Sequence, residues 1–205
     1  MPLRRRHLLA VLTAAAALPA VPPARAQGTP PDRIRGTIAG VAGGTLTVAG
    51  TDGTTMPVTL DPTTRITLIA PAHIEDIRPG SFIGTAALPQ QDGTLMAMEI
   101  QVFPESMRGV GEGHRPWDLR PGSTMTNGTV GTVTGTSGRQ LTMTYKGGAQ
   151  TVTVPPEAPV ITYEPADRAA LVAGAHVIVG LRAAADGTPH AVFIGVGKDG
   201  LTPPM

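Results

Sequence analysis

The chain lacks cysteine, has few aromatic residues, and contains no long apolar segment. Without cysteine it can form no disulfide, no thiol nucleophile and no lipoprotein anchor. Aromatic residues make up only 3% of the 205 residues, so we expect aliphatic cores. A membrane-spanning helix needs about 20 apolar residues. The apolar run from Leu8 to Ala20 is shorter than that, and we predict no membrane span.

The N-terminus has the features of a secretory signal peptide. An arginine triplet at 4–6 precedes the apolar run, and Ala24-Arg25-Ala26 is a small-x-small cleavage signal. We therefore predict a signal peptide over residues 1–26 and a periplasmic or secreted mature protein. The Arg5-Arg6 pair suits a Tat-like signal, whereas arginine-rich Sec signals look similar, so both export routes stay open.

Removal of this segment reverses the net charge. It contains four of the sixteen basic residues and none of the fifteen acidic ones, which leaves twelve basic residues and a net charge of −3. An acidic surface does not attract nucleic acid or anionic lipid. The few aromatic residues are scattered and predict no stacking platform for bases. We expect no nucleic-acid partner.

The sequence of the mature chain predicts an internal repeat of one module. The sequence IRGTIAGV at 34–41 is similar to TNGTVGTV at 126–133, and later segments align at a constant offset of 94 residues. Each half predicts three strands, a short helix or turn, and two more strands. This order predicts an all-β fold of two tandem five-stranded OB-like barrels related by internal duplication. A pair of small open sandwiches is the alternative.

The predicted boundaries are 33–103 for the first barrel, 104–126 for a linker or clasp, and 127–199 for the second barrel. The linker is the only substantial segment without a counterpart in the other half, and it contains the only Trp. Any specific site is therefore expected there. Its polar and aromatic residues are the predicted ligand or interface residues, namely Glu112, His114, Arg115, Trp117 and Asp118.

The repeat pattern resembles a known family. Gly-Thr-Ile/Val, Leu-Thr-Val/Met and Asp-Gly-Thr before a last apolar strand resemble exported bacterial β-barrel repeat domains of unknown function. The segment MRGVGEGHRPWDL at 107–119 is similar to a subgroup often named as a metal ABC transporter permease. A permease needs several membrane-spanning helices, which the mature sequence lacks. The resemblance implies a β-barrel and no particular catalytic residues.

Metal binding is one hypothesis for the linker. His114 lies in a Gly-rich segment near two carboxylates, and Met107 and Met125 flank it. Imidazole, thioether and carboxylate groups together could bind copper or another divalent metal. No spacing typical of metal ligands supports this site, and a loop histidine hydrogen-bonded to backbone or carboxylate is the favoured interpretation.

Two further pairs suggest metal ligands. Met96 and Met98 share one face of a predicted strand, and core packing is the favoured interpretation for them. His176 and His190 fall on strands predicted to be neighbours. Half-solvated positions at a barrel mouth are the favoured interpretation for these histidines.

A hydrolase site and a structural clasp are two further hypotheses for the linker. Ser106 or Ser123 with His114 and Asp118 supplies the residue types of a catalytic triad, but no G-x-S-x-G motif positions a serine. In a clasp, Trp117 would lie between the barrels, and the arginines at 108, 115 and 120 would pair with the acids at 105, 112 and 118. A mobile ligand loop is the alternative to the clasp.

We therefore expect an exported, non-enzymatic binding or scaffolding module of the cell envelope. Its partner would be an envelope protein or a small ligand, and we expect no resident cofactor. An envelope metal-handling protein is the second hypothesis, and a hydrolase is the third.

Overall fold

The computed structural model describes residues 32–135 and 139–204, so the predicted signal peptide lies outside the described residues. The predicted all-β class is confirmed. The strands are β1 Arg33–Ala42, β2 Thr45–Gly50, β3 Thr55–Pro71, β4 Phe82–Pro89, β5 Leu95–Val102, β6 Gly113–Pro116, β7 Thr124–Thr134, β8 Gln140–Tyr145, β9 Gly148–Thr153, β10 Val160–Pro165, β11 His176–Ala183 and β12 Pro189–Gly197. Short 3-10 turns span Ile74–Asp76, Glu105–Met107, Arg168–Ala170 and Lys198–Gly200. Within the two described ranges no helix has the length and apolar character needed to cross a bilayer.

Five strands form a closed barrel, here called barrel A. Its order is β1, β2, β3, β12 and β11, and the antiparallel pairing of β11 with β1 completes the ring. The pairing of β12 with β3 is parallel, from His190 opposite Thr59 to Gly197 opposite Ile69. Closure leaves barrel A without a free edge.

A second ring of pairings, barrel B, has the order β7, β8, β9, β5 and β4. Strand β4 pairs antiparallel with β7, from Phe82 opposite Thr129 to Ala87 opposite Thr124. The parallel contact of β5 with β9 is short, joining Leu95 to Val152 and Met96 to Thr153.

The strand pairing corrects the tandem arrangement expected from the sequence. Barrel A takes β1–β3 from the first half of the chain and β11–β12 from the second half. Barrel B takes β7–β9 from the second half and β4–β5 from the first. Neither 33–103 nor 127–199 therefore supplies a complete barrel. The periodicity of a strand specifies its faces, but it does not specify which of two similar neighbours the strand will pair with.

The two barrels meet through four adjacent strands, in the order β12, β3, β10 and β5. In this junction, Tyr163 of β10 lies opposite Ile69 of β3, and Ile161 lies opposite Gln101 of β5. The side chains on one face of the junction pack into barrel A, where Ile66 and Leu68 contact its core. The other face is turned away from that core and forms the floor of the site described below.

The hydrophobic residues separate into three clusters. The buried side chains of each barrel interior are aliphatic, as predicted, and include Leu46 and Val179 in barrel A and Ile100 and Leu141 in barrel B. The third cluster lies at the junction and contains all three phenylalanines together with one of the two tyrosines. The scarce aromatic residues are thus concentrated between the barrels.

Two glycines allow close approach of neighbouring strands. A Cβ on Gly36 of β1 would lie 2.0 Å from the carbonyl oxygen of Ala49, and a Cβ on Gly128 of β7 would lie 2.4 Å from that of Thr144. Both are the glycines of the Gly-Thr motifs found in the two halves. The steric reason for these motifs is contact with backbone, which cannot move aside as a flexible side chain can.

We predict that Gly36→Ala lowers the free energy of unfolding by about 1–3 kcal/mol, because the added methyl group displaces the neighbouring strand. Gly40→Ala is the matched control, since it changes a glycine of the same strand that has nothing within 4 Å of its added Cβ. Urea unfolding of both variants measures the difference. Equal stability of the two variants would show that strand proximity at Gly36 is not a constraint.

Strand exchange also predicts how a cut chain behaves. A protease site inserted between the exposed residues Arg108 and Gly109 divides the chain between its halves. The two fragments should co-elute from a gel-filtration column at the volume of the intact protein, because each barrel contains strands of both fragments. Separation of the fragments without denaturant would contradict the exchanged pairing.

Candidate functional site

A cleft of about 640 Å³ lies over the junction face and is covered by the linker; we call it the interbarrel cleft. The floor includes Thr67, Gln101 and Tyr163, which are residues of three junction strands. Residues 103–127 supply the cover, and the start of β1 supplies one wall. The cleft therefore needs both barrels and the linker, and neither barrel forms it alone.

Trp117 stands at the wall of the cleft and is held by a turn of the linker. Its backbone N–H donates to the Ser123 carbonyl oxygen at 2.8 Å, and the Ser123 hydroxyl donates to the Arg120 carbonyl oxygen at 2.7 Å. The guanidinium of Arg33 lies 3.8 Å from the centroid of the Trp117 ring, and that of Arg115 lies 5.6 Å away. These distances are typical of cation–π contacts.

Asp118 connects the linker to β1. Its carboxylate is 2.7 Å from Arg33 and 2.8 Å from Arg35. Partial burial raises the pKa of Asp118, but the hydrogen bonds and charges of the two arginines outweigh burial and hold the pKa below its usual range. The clasp predicted from the sequence paired Asp118 within the linker, whereas its partners lie on β1.

Only one of the predicted ion pairs within the linker forms in the described chain. Arg108 donates to Glu105, with 2.6 Å between Nε and Oε1. Glu112 instead accepts the backbone N–H of Lys146 at 3.0 Å. Arg115 donates to the Gly111 carbonyl oxygen at 2.7 Å and has no carboxylate within 4.0 Å among the described residues.

Arg115 is consequently a cation held mainly by neutral groups. Partial burial, followed by the positive charge of Arg33, lowers the pKa of Arg115. An arginine stays charged at any physiological pH. A half-buried positive charge without a carboxylate partner is costly unless another group compensates it.

A polar chain runs beneath the floor of the cleft. Tyr163 donates through its hydroxyl to Gln101 Oε1 at 2.7 Å, and Gln101 Nε2 donates to Glu99 Oε1 at 2.6 Å. The Glu99 side chain is completely buried, and within residues 32–135 and 139–204 its second oxygen has no hydrogen-bond partner. Burial raises the pKa of Glu99 to about 7, although the Gln101 hydrogen bond and the charge of Arg35 oppose the shift. Burial, then the charge of Glu99, raises the pKa of Tyr163.

Aromatic and thioether side chains form the apolar part of the cleft. Phe103 stacks on Tyr163 with ring centroids 5.3 Å apart, and Phe193 meets Tyr163 edge-on at 6.3 Å. Met107 packs against the same cluster. One end of the cleft is thus apolar, whereas the end near Trp117 carries arginines.

Three residues that line the cleft carry buried polar atoms without a hydrogen-bond partner among the described residues. They are the indole nitrogen Nε1 of Trp117, the amide oxygen Oδ1 of Asn127 and the hydroxyl Oγ1 of Thr67. Asn127 is 4% exposed, and its amide nitrogen donates to the Val110 carbonyl oxygen at 2.9 Å. More than nine in ten buried polar groups of native proteins find a partner, so three exceptions around one cleft need an explanation.

The metal site suggested by the sequence is not assembled. Met107 and Met125 line the cleft, but His114 does not. His114 lies opposite Thr126 in the β6–β7 pairing, and consecutive strand residues face opposite sides, which separates His114 from Met125. Its Nδ1 is 2.8 Å from the Thr126 hydroxyl, and its ring stacks on Tyr145. The described residues contain no cluster of three His, Cys, Asp or Glu side chains arranged to hold a metal.

The two histidines of the second pair have different partners. His190 contacts Asp61 at 2.9 Å, whereas His176 lies 3.3 Å from the Thr37 hydroxyl. Met96 and Met98 share one face of β5, and this face is not the core face predicted for them. Both are half-buried, because the residues between and before them point into the core of barrel B.

The serine triad is likewise not brought together. The Ser123 hydroxyl is engaged with carbonyl oxygens of its own turn, at Trp117 and Arg120. Ser106 is exposed at the cleft, and neither serine contacts His114 in the described hydrogen bonds. Asp118 is paired with arginines of β1 and does not orient the imidazole.

Sequence reasoning missed the residues that complete the cleft. Arg33, Gln101 and Tyr163 lie on strands outside the linker, and Glu99 lies behind them. One signal was available: Glu99 and Gln101 interrupt the last apolar strand of the first half, and residues at the same offset in the second half are Phe193 and Gly195. Two polar residues on one face of a core strand indicate a buried polar network.

Comparison with known families gives one match. Residues 35–101 match the family model described as Domain of unknown function (DUF5666), which confirms the expected resemblance to a domain of unknown function for that segment. The matched residues run from β1 to β5 and are divided between the two barrels. The linker lies outside the match. Comparisons with curated proteins and with solved structures gave no match.

Burial of Glu99 predicts a specific dependence of stability on pH. The carboxyl group titrates near 4.5 when unfolded and near 7 when folded, so the folded state holds the extra proton between these values. Stability from this group is therefore greatest below about pH 4.5 and falls as pH rises to about 7, by about 3 kcal/mol.

We expect Glu99→Gln to remove most of this fall when unfolding free energies are compared at pH 5 and pH 8. Glu75→Gln, at an exposed position, is the control and should retain the wild-type difference. An unchanged slope in Glu99→Gln would mean that Glu99 titrates normally in the folded protein.

Proposed function

We propose that the mature protein is an exported, non-enzymatic binding module whose small ligand occupies the interbarrel cleft. The observation that carries this proposal is the cleft itself, which combines a side lined by the aromatic cluster around Tyr163 with a side lined by Arg33, Arg65 and Arg115. Ordered water is the alternative occupant, and dye binding distinguishes the two.

The size and lining of the cleft support a small molecule. Ligand sites usually measure about 300–1,000 Å³ and combine an apolar lining with a few polar groups. The cleft has about 640 Å³, the aromatic cluster around Tyr163, and the arginines near Trp117. The signal-peptide features of residues 1–26 support export to the envelope or beyond.

The finer interpretation of the fold belongs to the same proposal. Each barrel is OB-like, and the two halves arose by duplication of one unit with exchange of its last two strands. Both rings have the same order of strands, and β3, at 55–71, corresponds at the offset of 94 to 149–165, the region of β9 and β10. The exchange brings the barrels together and creates the cleft.

The binding function is testable with Nile red, a neutral apolar dye. We expect one dye molecule to bind per chain and to change the fluorescence of Trp117, the only tryptophan. Gly180→Leu should abolish binding, because Gly180 lines the cleft and its Cβ would meet only ordinary contacts, the nearest at 3.6 Å.

Gly40→Leu is the matched control, since this glycine lies outside the cleft with nothing near its added Cβ. It should bind the dye like the wild-type protein. If the folded wild-type protein takes up no dye, water alone fills the cleft and the proposed function fails.

A further inference from the structure

The charges that line the cleft point to the chemical class of its ligand. Resting on the binding function proposed above, we propose that the cleft binds an organic anion, in which a carboxylate or phosphate is attached to an apolar body. The anionic group lies beside Arg115 and Trp117, and the apolar body lies against Phe103 and Phe193.

The local charge of the cleft is opposite to that of the mature chain. Arg33, Arg65 and Arg115 line the cleft, against a single lining acid, Asp32. The mature chain as a whole has a predicted net charge of −3. Arginines gathered in a cleft of an acidic protein concentrate positive potential there and attract anions.

The arginines differ in how their charges are compensated. Arg33 is paired with Asp118 at 2.7 Å, so its charge is largely matched within the protein. Arg65 is exposed and Arg115 half-buried, and neither has a carboxylate within 4.0 Å among the described residues. Of these two arginines only Arg115 is partly removed from water, so a bound anion would stabilise its charge the most.

The guanidinium of Arg115 also offers hydrogen-bond donors to an anion. One N–H of Arg115 is used by the Gly111 carbonyl oxygen, and no other hydrogen bond of its guanidinium forms in the described chain. The Trp117 ring lies 5.6 Å from that guanidinium and lines the cleft beside it. Anionic oxygens accept charge-assisted bonds from such donors. A cationic ligand would leave the donors unmatched and would be repelled by the arginines.

The rest of the cleft suits an apolar body. Phe103, Met107, Ile178 and Phe193 line it, and all four belong to or pack against the junction cluster. Contact with these side chains removes apolar surface from water, which favours binding. An anion without an apolar part would forgo this contribution.

Competition against Nile red tests the ligand class. The probes are decanoate, decyl phosphate, decanol and decyltrimethylammonium, each used below its micelle concentration and followed by the fluorescence of Trp117. We expect the two anions to displace the dye at roughly tenfold to hundredfold lower concentration than decanol, and the cation to be weakest. The order of decanoate and decyl phosphate distinguishes a carboxylate from a phosphate ligand.

Variants of Arg115 test whether this residue binds the anionic group of the ligand. Arg115→Gln should weaken the binding of decanoate by roughly tenfold or more and leave the binding of decanol unchanged. Arg115→Lys should keep part of the preference for decanoate over decanol. Arg120→Gln is the matched control, since it removes the same charge from an exposed linker residue outside the cleft. If Arg115→Gln does not fold, the salt dependence of decanoate affinity in the wild-type protein replaces it, because only charged probes respond to screening.

Two results would overturn the ligand class. One is displacement of the dye by decanol or the ammonium compound as readily as by the anions, or by none of the probes. The other is full decanoate affinity in a folded Arg115→Gln variant. In each case Nile red binding that Gly180→Leu abolishes would still support the binding function.

Discussion

Closure of each barrel by strands from the opposite half of the chain is the constraint on which the remaining structure depends. A short strand leaves its backbone N–H and C=O groups open at an edge unless another strand covers them. In barrel A the edge of β1 is covered by β11, and in barrel B the edge of β4 is covered by β7. The chain must therefore cross between the barrels, and these crossings place β3 beside β10 and create the junction face.

The junction face is not symmetric, and this asymmetry makes one site. At the offset of 94, Glu99 and Gln101 of β5 correspond to Phe193 and Gly195 of β12. One side of the face is consequently a buried polar chain ending at Tyr163, and the other side is apolar. A buried carboxyl group is costly in its charged form, so the polar side is retained at the expense of stability near neutral pH.

The linker turns this face into a cleft because it is fixed at two places. Asp118 joins it to β1 through two arginines, and β6 joins it to β7 through antiparallel pairing. Arg115 on β6 and Trp117, which lies between β6 and Asp118, are thereby held over the junction, where the positive charge of Arg115 meets the aromatic cluster. Pairing of β6 with β7 turns His114 to the other side, where it contacts Thr126 and Tyr145.

By itself, the sequence determined the all-β class and the aliphatic barrel cores, and it singled out the linker whose Arg115 and Trp117 line the cleft. These features follow from local periodicity and composition, which fix the faces of a strand and the residues that can be buried. Only the tertiary structure decided which half completes each barrel, that Asp118 pairs with β1, and that Glu99, Gln101 and Tyr163 form the floor. The physical reason is that local periodicity fixes the faces of a strand but not its partner, so the pairing is decided only when the whole chain packs.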